Sequence, residues 1–170
     1  MLLTRERVEA LNRINRFAGW TNRDYSVLEH SVIGARLTPN RTLQKAFLLH
    51  DLHESAFGGD IITPIKQKYM VPQFHIDVEA WDRDLAVETR VPFSAIDGEQ
   101  VHMLDATMLA AETRTIYVGR NRLTTEPSDW KSNIPTGCDL LVHRAEMYIN
   151  DREFAGENAI IAFWQIWSGE

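Results

Sequence analysis

Apolar residues recur at intervals of three and four along most of the chain, which is the spacing of one face of an α-helix. No segment alternates apolar and polar residues over the length of a strand, and no internal repeat occurs. The first predicted helix follows the capping residue Thr4, runs toward Arg16 and ends before Gly19. Later predicted helices cover about residues 27–37, 41–56, 75–90, 98–117, 139–151 and 158–167. The pattern therefore predicts an all-α protein.

Polar pairs mark the starts of two of these helices. Ser26 and Glu29 have the spacing of a capping box, in which the hydroxyl and the carboxylate each satisfy a free backbone amide, so a helix should start at about Val27. Asp97 and Gln100 form a second pair of this type. Between helices, residues 61–67 are predicted to form a loop with a short turn, and the polar residues 118–137 an extended loop or lid.

Length and composition indicate one domain that covers residues 1–170. A chain of 170 residues with 44% hydrophobic content can form one core and is too short for two ordinary domains. Five Trp, seven Phe and the lack of any Ser-, Gln- or Pro-rich run argue against long disordered stretches. We therefore predict a compact, single-domain helical bundle.

Charge and hydropathy limit the partners. A formal net charge of -6 and a pI near 5.5 lack the basic surface that binds a polynucleotide backbone, so polymeric DNA or RNA is not an expected partner. A cleft lined by Arg and Lys could still bind a small anion. The chain shows no apolar leader segment and no run of about 18 apolar residues, which predicts a soluble, cytoplasmic protein that does not enter membranes.

His30 is the first candidate metal ligand. It shares a helical stripe with Val27, Gly34 and Leu37, so its ring should point inward. A lone inward histidine is more often a core residue with a hydrogen-bonded ring. Cys138 is the single cysteine, so any metal must be held by histidines and carboxylates.

Further candidate ligands lie on the next two predicted helices. His50 and Asp51 are neighbours, and both can reach one ion only if it lies beside their helix, because adjacent residues point about 100° apart. A lone His-Asp pair is more often a surface turn or a helix end. Asp105 shares a face with Val101 and Met108, where a carboxylate is costly unless it is paired or binds a metal. A salt bridge to an internal arginine is an equally good explanation of Asp105.

Taken together, two imidazoles and two carboxylates suit Zn, Mn, Co or Fe(II) better than Ca. A five- or six-coordinate ion would keep positions for water and substrate. An ion of this kind lowers the pKa of bound water and polarises a phosphoryl oxygen. The ligand set therefore indicates hydrolysis.

The order His, His-Asp, Asp on successive helices resembles the HD superfamily of phosphohydrolases. Three segments carry the resemblance across about residues 13–113: RINRFAGWTNRDYSVLEHS, AFLLHDLHESAFGGDIITPIK and VHMLDATMLAAET. They are similar to blocks of small bacterial and phage HD hydrolases, which include 5'-deoxynucleotidases and phage dATP triphosphohydrolases. The resemblance implies an HD-type fold and a divalent ion (Zn, Co or Mn, with Mg as an accessory ion on the phosphates). The implied ligands are His30, His50, Asp51 and Asp105.

The resemblance also implies two catalytic acids. Glu54 follows His50 by four residues, which predicts that both lie on one helix face, and Glu54 would orient or deprotonate the attacking water. Asp60, in the Gly-Gly-Asp turn, would protonate the leaving ester oxygen. Without the resemblance, either acid is as well explained as a solvated charge at a helix end.

Three residues resemble the substrate-binding positions of the family. Arg16 and Lys66 would bind phosphate oxygens, and Trp20 would offer a stacking surface for a base or a sugar. The alternative for Trp20 is a hydrophobic staple that packs its segment onto the next helix.

Two reactions fit this resemblance. One removes the whole triphosphate from a dNTP such as dATP, and the other removes phosphate from a deoxynucleoside monophosphate. A triphosphate needs more positive charge, and further cations in Lys68, Arg83 and Lys131 favour it slightly. A nucleotide-sensing module without turnover, and more weakly a cyclic-nucleotide phosphodiesterase, remain open. The resemblance further implies a homo-oligomer, and a bacterial host cytoplasm if the protein is encoded by a phage.

Overall fold

Nine helices make up the described part of the chain. The computed structural model describes residues 1–60, 72–118 and 137–170. Its helices are α1 (Arg5–Leu11), α2 (Val27–Arg36), α3 (Arg41–Leu49), α4 (Glu54–Phe57), α5 (Pro72–Thr89), α6 (Phe93–Ile96), α7 (Glu99–Thr115), α8 (Asp139–Asp151) and α9 (Glu157–Ser168). A 3-10 turn, Arg16–Gly19, lies between α1 and α2. Over these residues the protein is mostly helical and forms no strand, so the all-α prediction is confirmed.

Helix α2 lies at the centre of the fold. All residues from Val27 to Ala35 are buried, and α2 contacts α1, α3, α7, α8 and α9. Its polar side chains are therefore buried as well and need partners within the protein. These are Glu29, His30 and Ser31.

Helix α1 is shorter than the apolar spacing predicts. It ends at Leu11 and does not run toward Arg16. The chain after it pairs with the segment before α2: the Arg16 amide donates to the Tyr25 carbonyl at 2.9 Å, and the Val27 amide donates to the Ile14 carbonyl at 2.9 Å. These bonds use backbone groups that a continued helix would need. The predicted length was wrong because this tertiary pairing overrides local periodicity.

The first capping pair is half formed. The Ser26 hydroxyl accepts a hydrogen bond from the Glu29 amide at 3.0 Å, and α2 starts at Val27 as predicted. The Glu29 carboxylate, however, binds the guanidinium of Arg23 at 2.5 and 3.0 Å. A charged partner nearby therefore replaces the backbone amide expected for this carboxylate.

The second capping pair does not cap its helix. Helix α7 begins after Gly98, which has no capping side chain, and Asp97 instead ends the short helix α6. The Asp97 carboxylate lies 3.0 Å from Nε2 of His102. The long helix exists as predicted, but the prediction of its cap was wrong because α6 takes up the preceding turn.

The third predicted helix is two helices. Helix α3 ends at Leu49 and α4 begins at Glu54. Between them the Leu52 amide donates to the Leu49 carbonyl, and the Glu54 amide to the Asp51 carbonyl, both at 3.0 Å and both across only three residues. This tight turn buries Leu52 completely in the core. The expectation that His50 and Glu54 share one helix face was therefore wrong.

The remaining boundaries lie close to the predictions. Helix α5 ends at Thr89, where Arg90 takes a left-handed conformation (φ 58°) shortly before Pro92. Helix α8 has the predicted limits, and α9 extends one residue further at each end. The predicted loop at 61–67 and all but the two end residues of the predicted loop at 118–137 lie outside the described residues. None of the described helices combines the length and apolar character needed to cross a membrane.

Candidate metal centre

Three elements bring the four predicted metal ligands together. His30 lies in α2, His50 and Asp51 in the turn after α3, and Asp105 in α7. Oδ2 of Asp51 lies 3.2 Å from Nε2 of His50 and 3.9 Å from Nε2 of His30. Oδ1 of Asp105 lies 3.2 Å from Nε2 of His30 and 4.0 Å from Nε2 of His50. We call these four residues the ligand cluster, because atoms able to bind one ion converge in it.

The two ring nitrogens that face the centre of the cluster lack hydrogen bonds. Nε2 of His30 and Nε2 of His50 are buried, and in the described part of the chain each has a carboxylate oxygen at 3.2 Å without the geometry of a hydrogen bond. Buried polar atoms are nearly always satisfied, so two adjacent unsatisfied nitrogens indicate a ligand. His30, His50 and Asp51 place their ligand atoms within 4.8 Å of one another. The donor set therefore fits a divalent metal ion.

The opposite nitrogen of each ring has an acceptor. Nδ1 of His30 donates to the Glu112 carboxylate at 2.6 Å, and Nδ1 of His50 donates to the Phe47 carbonyl at 2.7 Å. Ionised carboxylates and carbonyls only accept, so each Nδ1 carries a hydrogen and the neutral ring has its lone pair on Nε2. Carboxylates and backbone carbonyls are the usual partners behind metal-bound histidines. Both rings are thus oriented so that Nε2 can accept a metal ion.

Phe47 packs against both imidazoles. Its ring centroid lies 4.4 Å from that of His50 and 5.5 Å from that of His30. The close approach depends on Gly34 in α2, because a Cβ atom there would lie only 2.0 Å from Cε1 of Phe47. Gly34 therefore sets the spacing of α2 and α3 beside the ligand cluster.

Asp105 lies at the edge of the ligand cluster. Val101 and Met108 on its helix are buried, as predicted, but the Asp105 side chain is 44% exposed. The burial argument for this carboxylate was therefore only partly right. Its close partners are His30 and His50, and within the described ranges no arginine forms an ion pair with it.

A glutamate that sequence reasoning missed lies behind His30. Glu112 in α7 is fully buried, and its carboxylate contacts Nδ1 of His30 at 2.6 Å and Nη2 of Arg16 at 3.2 Å. It follows Asp105 by seven residues, which is two helical turns along the same face, so its position was visible in the sequence. Its partners were not, because they come from distant elements.

Arg16 connects Glu112 to the ligand cluster. The guanidinium is buried, and its Nη1 lies 3.5 Å from Oδ2 of Asp51. The predicted phosphate-binding arginine therefore lies beside the ligands, already engaged in ion pairs. Trp20, at the end of the same 3-10 turn, is 56% exposed, which does not fit a hydrophobic staple. Lys66 lies outside the described residues.

Of the two predicted catalytic acids, Glu54 lies next to the ligand cluster and Asp60 lies beside the 3-10 turn that carries Arg16. Glu54 is buried at the start of α4, and ligand atoms of Asp51, His53 and Glu54 lie within 4.8 Å of one another. Oδ2 of Asp60 accepts a hydrogen bond from the Phe17 amide at 2.8 Å, which places Asp60 beside the 3-10 turn. The short α3–α4 connection thus brings Glu54 to Asp51, and the segment after α4 brings Asp60 to the 3-10 turn.

The His30–Glu112 pair has strongly shifted pKa values. Burial and the nearby Arg16 charge disfavour the His30 imidazolium, yet Glu112 and Asp105 outweigh them and raise the pKa of His30 to about 9. Burial acts to raise the pKa of Glu112, but the charges of Arg16 and His30 lower it to about 2. This shift favours the imidazolium form of His30 at neutral pH, and an ion bound at Nε2 would have to displace its proton.

The cluster carboxylates are held in their charged form. Burial opposes ionisation of Asp51, but the adjacent His50 and Arg16 keep its pKa well below the usual value. Burial likewise opposes ionisation of Asp105, and its contact with His30 lowers the pKa nevertheless. Both carboxylates are therefore ready to bind a cation at neutral pH.

Comparisons of the chain with protein-family models, with curated proteins and with solved structures found no match.

Proposed function

We propose that this chain is a metal-dependent phosphohydrolase with a fold of the HD-domain type, and that it acts on a deoxynucleotide. The observation that carries the proposal is the pair of buried Nε2 atoms of His30 and His50. They are unsatisfied among the described residues and flanked by the carboxylates of Asp51 and Asp105. Three sequence segments that contain these four residues resemble HD hydrolases, and this resemblance supports the same conclusion.

The ligand cluster would hold one first-row divalent ion, with zinc, cobalt and manganese as the candidates. Magnesium would accompany the substrate phosphates. Such an ion in the ligand cluster would lower the pKa of a nearby water and would polarise a phosphoryl oxygen of the substrate. Two neutral imidazoles and two carboxylates would offset the charge of a divalent ion, which is the electrostatic balance that a buried cation needs.

The two acids divide the proton transfers between them. Glu54 is buried beside Asp51, where it takes a proton from the attacking water. Asp60 gives a proton to the leaving 5' oxygen as the bond from phosphorus to that oxygen breaks. The water oxygen ends on phosphorus, so the products are a deoxynucleoside and the released phosphate chain.

The preferred substrate is a dNTP such as dATP, with tripolyphosphate as the second product. Arg16 binds phosphate oxygens from its place beside Asp51, and Lys66 adds a second cation. Trp20 presents its exposed ring to the base or the sugar.

A deoxynucleoside monophosphate is the second candidate substrate. In the described part of the chain, Arg16 is the cation in contact with the ligand cluster, and Glu112 and Asp51 already share its charge. One shared guanidinium suits a single phosphate better than three, which is the observation that favours this alternative.

A product assay tests the proposal. The purified protein is freed of metal, loaded with Zn²⁺, Co²⁺ or Mn²⁺ and incubated with each dNTP and each dNMP. We expect metal-dependent release of deoxyadenosine and tripolyphosphate from dATP. Release of orthophosphate from dAMP with dATP intact would show that the substrate is a deoxynucleoside monophosphate and not a dNTP.

Asp51→Ala is the matched control for this assay. It removes one ligand and should abolish turnover on every substrate. If the wild type shows no metal-dependent turnover on any nucleotide, and Asp51→Ala still binds nucleotide, the enzyme proposal is wrong and the chain is a nucleotide sensor.

Self-association and a cytoplasmic location belong to the same proposal. Apolar side chains of Leu140 and Met147 on α8 and of Ile161 on α9 are exposed in the single chain, which supports contact with further copies. Light scattering on the purified protein would measure the number of copies directly.

A further inference from the structure

We infer that Glu112 is a positioning residue of the metal centre, which holds the ring of His30 and the guanidinium of Arg16 in one fixed arrangement. This inference rests on the proposed metal binding by the ligand cluster. It assigns a function to a residue that touches neither the ion nor the substrate.

The two oxygens of Glu112 are divided between two partners. Oε1 lies 2.6 Å from Nδ1 of His30, and Oε2 lies 3.2 Å from Nη2 of Arg16. The three side chains come from three separate elements: α7, α2 and the 3-10 turn. Glu112 and His30 are fully buried, and Arg16 is nearly so. No solvent competes for these bonds, so the geometry is rigid.

The bond to Nδ1 fixes His30 in the state that binds a metal. It places the ring hydrogen on Nδ1 and leaves the lone pair of the neutral ring on Nε2, which faces the ligand cluster. If the ring turned over, a carbon-bound hydrogen would face the Glu112 carboxylate in a fully buried site. That arrangement would leave Oε1 of this buried carboxylate without a donor, which is unfavourable even though Arg16 still contacts Oε2.

Through its bond to Arg16, Glu112 also influences the position of Asp51, a second residue of the ligand cluster. Nη1 of Arg16 lies 3.5 Å from Oδ2 of Asp51, and that oxygen lies 3.2 Å from Nε2 of His50. A chain of charged contacts thus runs from Glu112 through Arg16 to Asp51. Glu112 therefore acts on the cluster from two sides, directly through His30 and indirectly through Arg16.

A purely structural ion pair would not need this division. The chain contains such a pair in Arg23 and Glu29, in which one guanidinium contacts both carboxylate oxygens at 2.5 and 3.0 Å. Glu29 is as deeply buried as Glu112 but contacts no residue of the ligand cluster through a described hydrogen bond or ion pair. It therefore provides a matched control for the loss of a buried carboxylate.

The experiment compares Glu112→Gln with Glu29→Gln. Binding of Co²⁺ and Mn²⁺ to the metal-free full chain is measured by calorimetry, and the visible spectrum of the Co²⁺ form reports the geometry of its ligands. We expect Glu112→Gln to weaken metal binding by about 10- to 100-fold, as loss of a partner behind a metal-bound histidine does. We also expect its Co²⁺ spectrum to change. Glu29→Gln should keep the wild-type affinity and spectrum, even if its melting temperature falls.

A measurement on the wild type covers the case in which Glu112→Gln does not fold. Nitrogen NMR of the Zn²⁺-loaded protein should show His30 protonated at Nδ1 and bound to metal through Nε2. The opposite assignment would overturn the inference, as would equal metal affinity in wild type and Glu112→Gln. Absence of metal binding by the wild type would instead overturn the proposed function, so the two failures are distinguishable.

Discussion

Two arginine–glutamate pairs with a buried carboxylate contact α2, and they differ in how the carboxylate is used. Arg23 contacts both oxygens of Glu29 and also donates to the Ile149 carbonyl at 2.9 Å, so this pair ties α2 to α8. Arg16 contacts one oxygen of Glu112, and the other oxygen serves His30. In the first pair, both carboxylate oxygens bind the same arginine. In the second pair, one oxygen binds the arginine and the other orients His30 in the ligand cluster.

The pKa values of Glu29 and Glu112 shift in opposite directions, as the different partners of the two carboxylates lead us to expect. Burial outweighs the charges of Arg23 and Arg152 and raises the pKa of Glu29 above its usual value. Burial also acts on Glu112, but Arg16 and His30 together lower its pKa to about 2. The difference follows from His30, which contacts Glu112 directly, whereas no described hydrogen bond or ion pair joins Glu29 to a histidine.

The largest expected effect concerns a third buried carboxylate, Glu54, which belongs to neither pair. If it deprotonates the attacking water, Glu54→Gln should lower kcat by about 10²- to 10⁴-fold, the usual contribution of a general base. Metal affinity should stay near that of the wild type. Turnover assays and calorimetry check the two expectations, and Glu29→Gln is the control. A kcat for Glu54→Gln within a few-fold of the wild type would exclude this role.

Substitution of each arginine distinguishes the function of one pair from that of the other. Arg16→Met and Arg23→Met each leave a buried carboxylate without its guanidinium, which costs about 3–5 kcal/mol of the free energy of unfolding. Urea denaturation measures this cost. We expect Arg16→Met alone to lose nucleotide turnover under conditions where both variants are folded, because only Arg16 adjoins the ligand cluster. Equal turnover in both variants would contradict the difference between the pairs.

A change in the packing of the Phe47 ring should also affect metal binding by the ligand cluster. Gly34→Ala introduces a Cβ atom into the space of the Phe47 ring, and overpacking of this kind costs about 1–3 kcal/mol. Since Phe47 supports His30 and His50, metal affinity should fall together with the melting temperature. The double variant Gly34→Ala, Phe47→Leu removes the ring that is struck and should recover part of both. Failure of any recovery would show that the ring is not the cause.

The smallest effect is a pH dependence of the metal-free protein. The folded pKa of His30, about 9, lies above its ordinary 6.5, so this group stabilises the fold fully below about 6.5 and loses that contribution as pH rises through about 9. The folded pKa of Glu112, about 2, lies below its ordinary 4.5, so its contribution is present above 4.5 and lost as pH falls through about 2.

Melting temperatures of the metal-free protein, measured between pH 3 and pH 10, check both expectations. Glu112→Gln should reduce the loss of stability on the alkaline side, because His30 then lacks its main anionic partner. Glu29→Gln should retain it. An alkaline loss that is unchanged in Glu112→Gln would break the link between the two residues.

Periodicity and spacing were sufficient for much of the fold. The all-α class, the start of α2 and the limits of α8 follow from apolar stripes and from one capping residue, because these depend on neighbours within a few positions. The same stripes placed His30 inward, and the resemblance of the segment around the His-Asp pair to HD hydrolases singled out Glu54 and Asp60. These are local features, and local features can be read from a sequence.

Contacts between distant segments decided the rest. Helix α1 stops at Leu11 because the following backbone pairs with the segment before α2, and α3 stops at Leu49 in a turn folded onto the core. Glu112 could be placed on the face of Asp105, but its bonds to His30 and Arg16 depend on the packing of three elements. The sequence by itself determined which side chains can bind a metal. The tertiary structure alone decided which nitrogen of His30 faces the ligand cluster, because a buried partner some eighty positions away in the chain sets it.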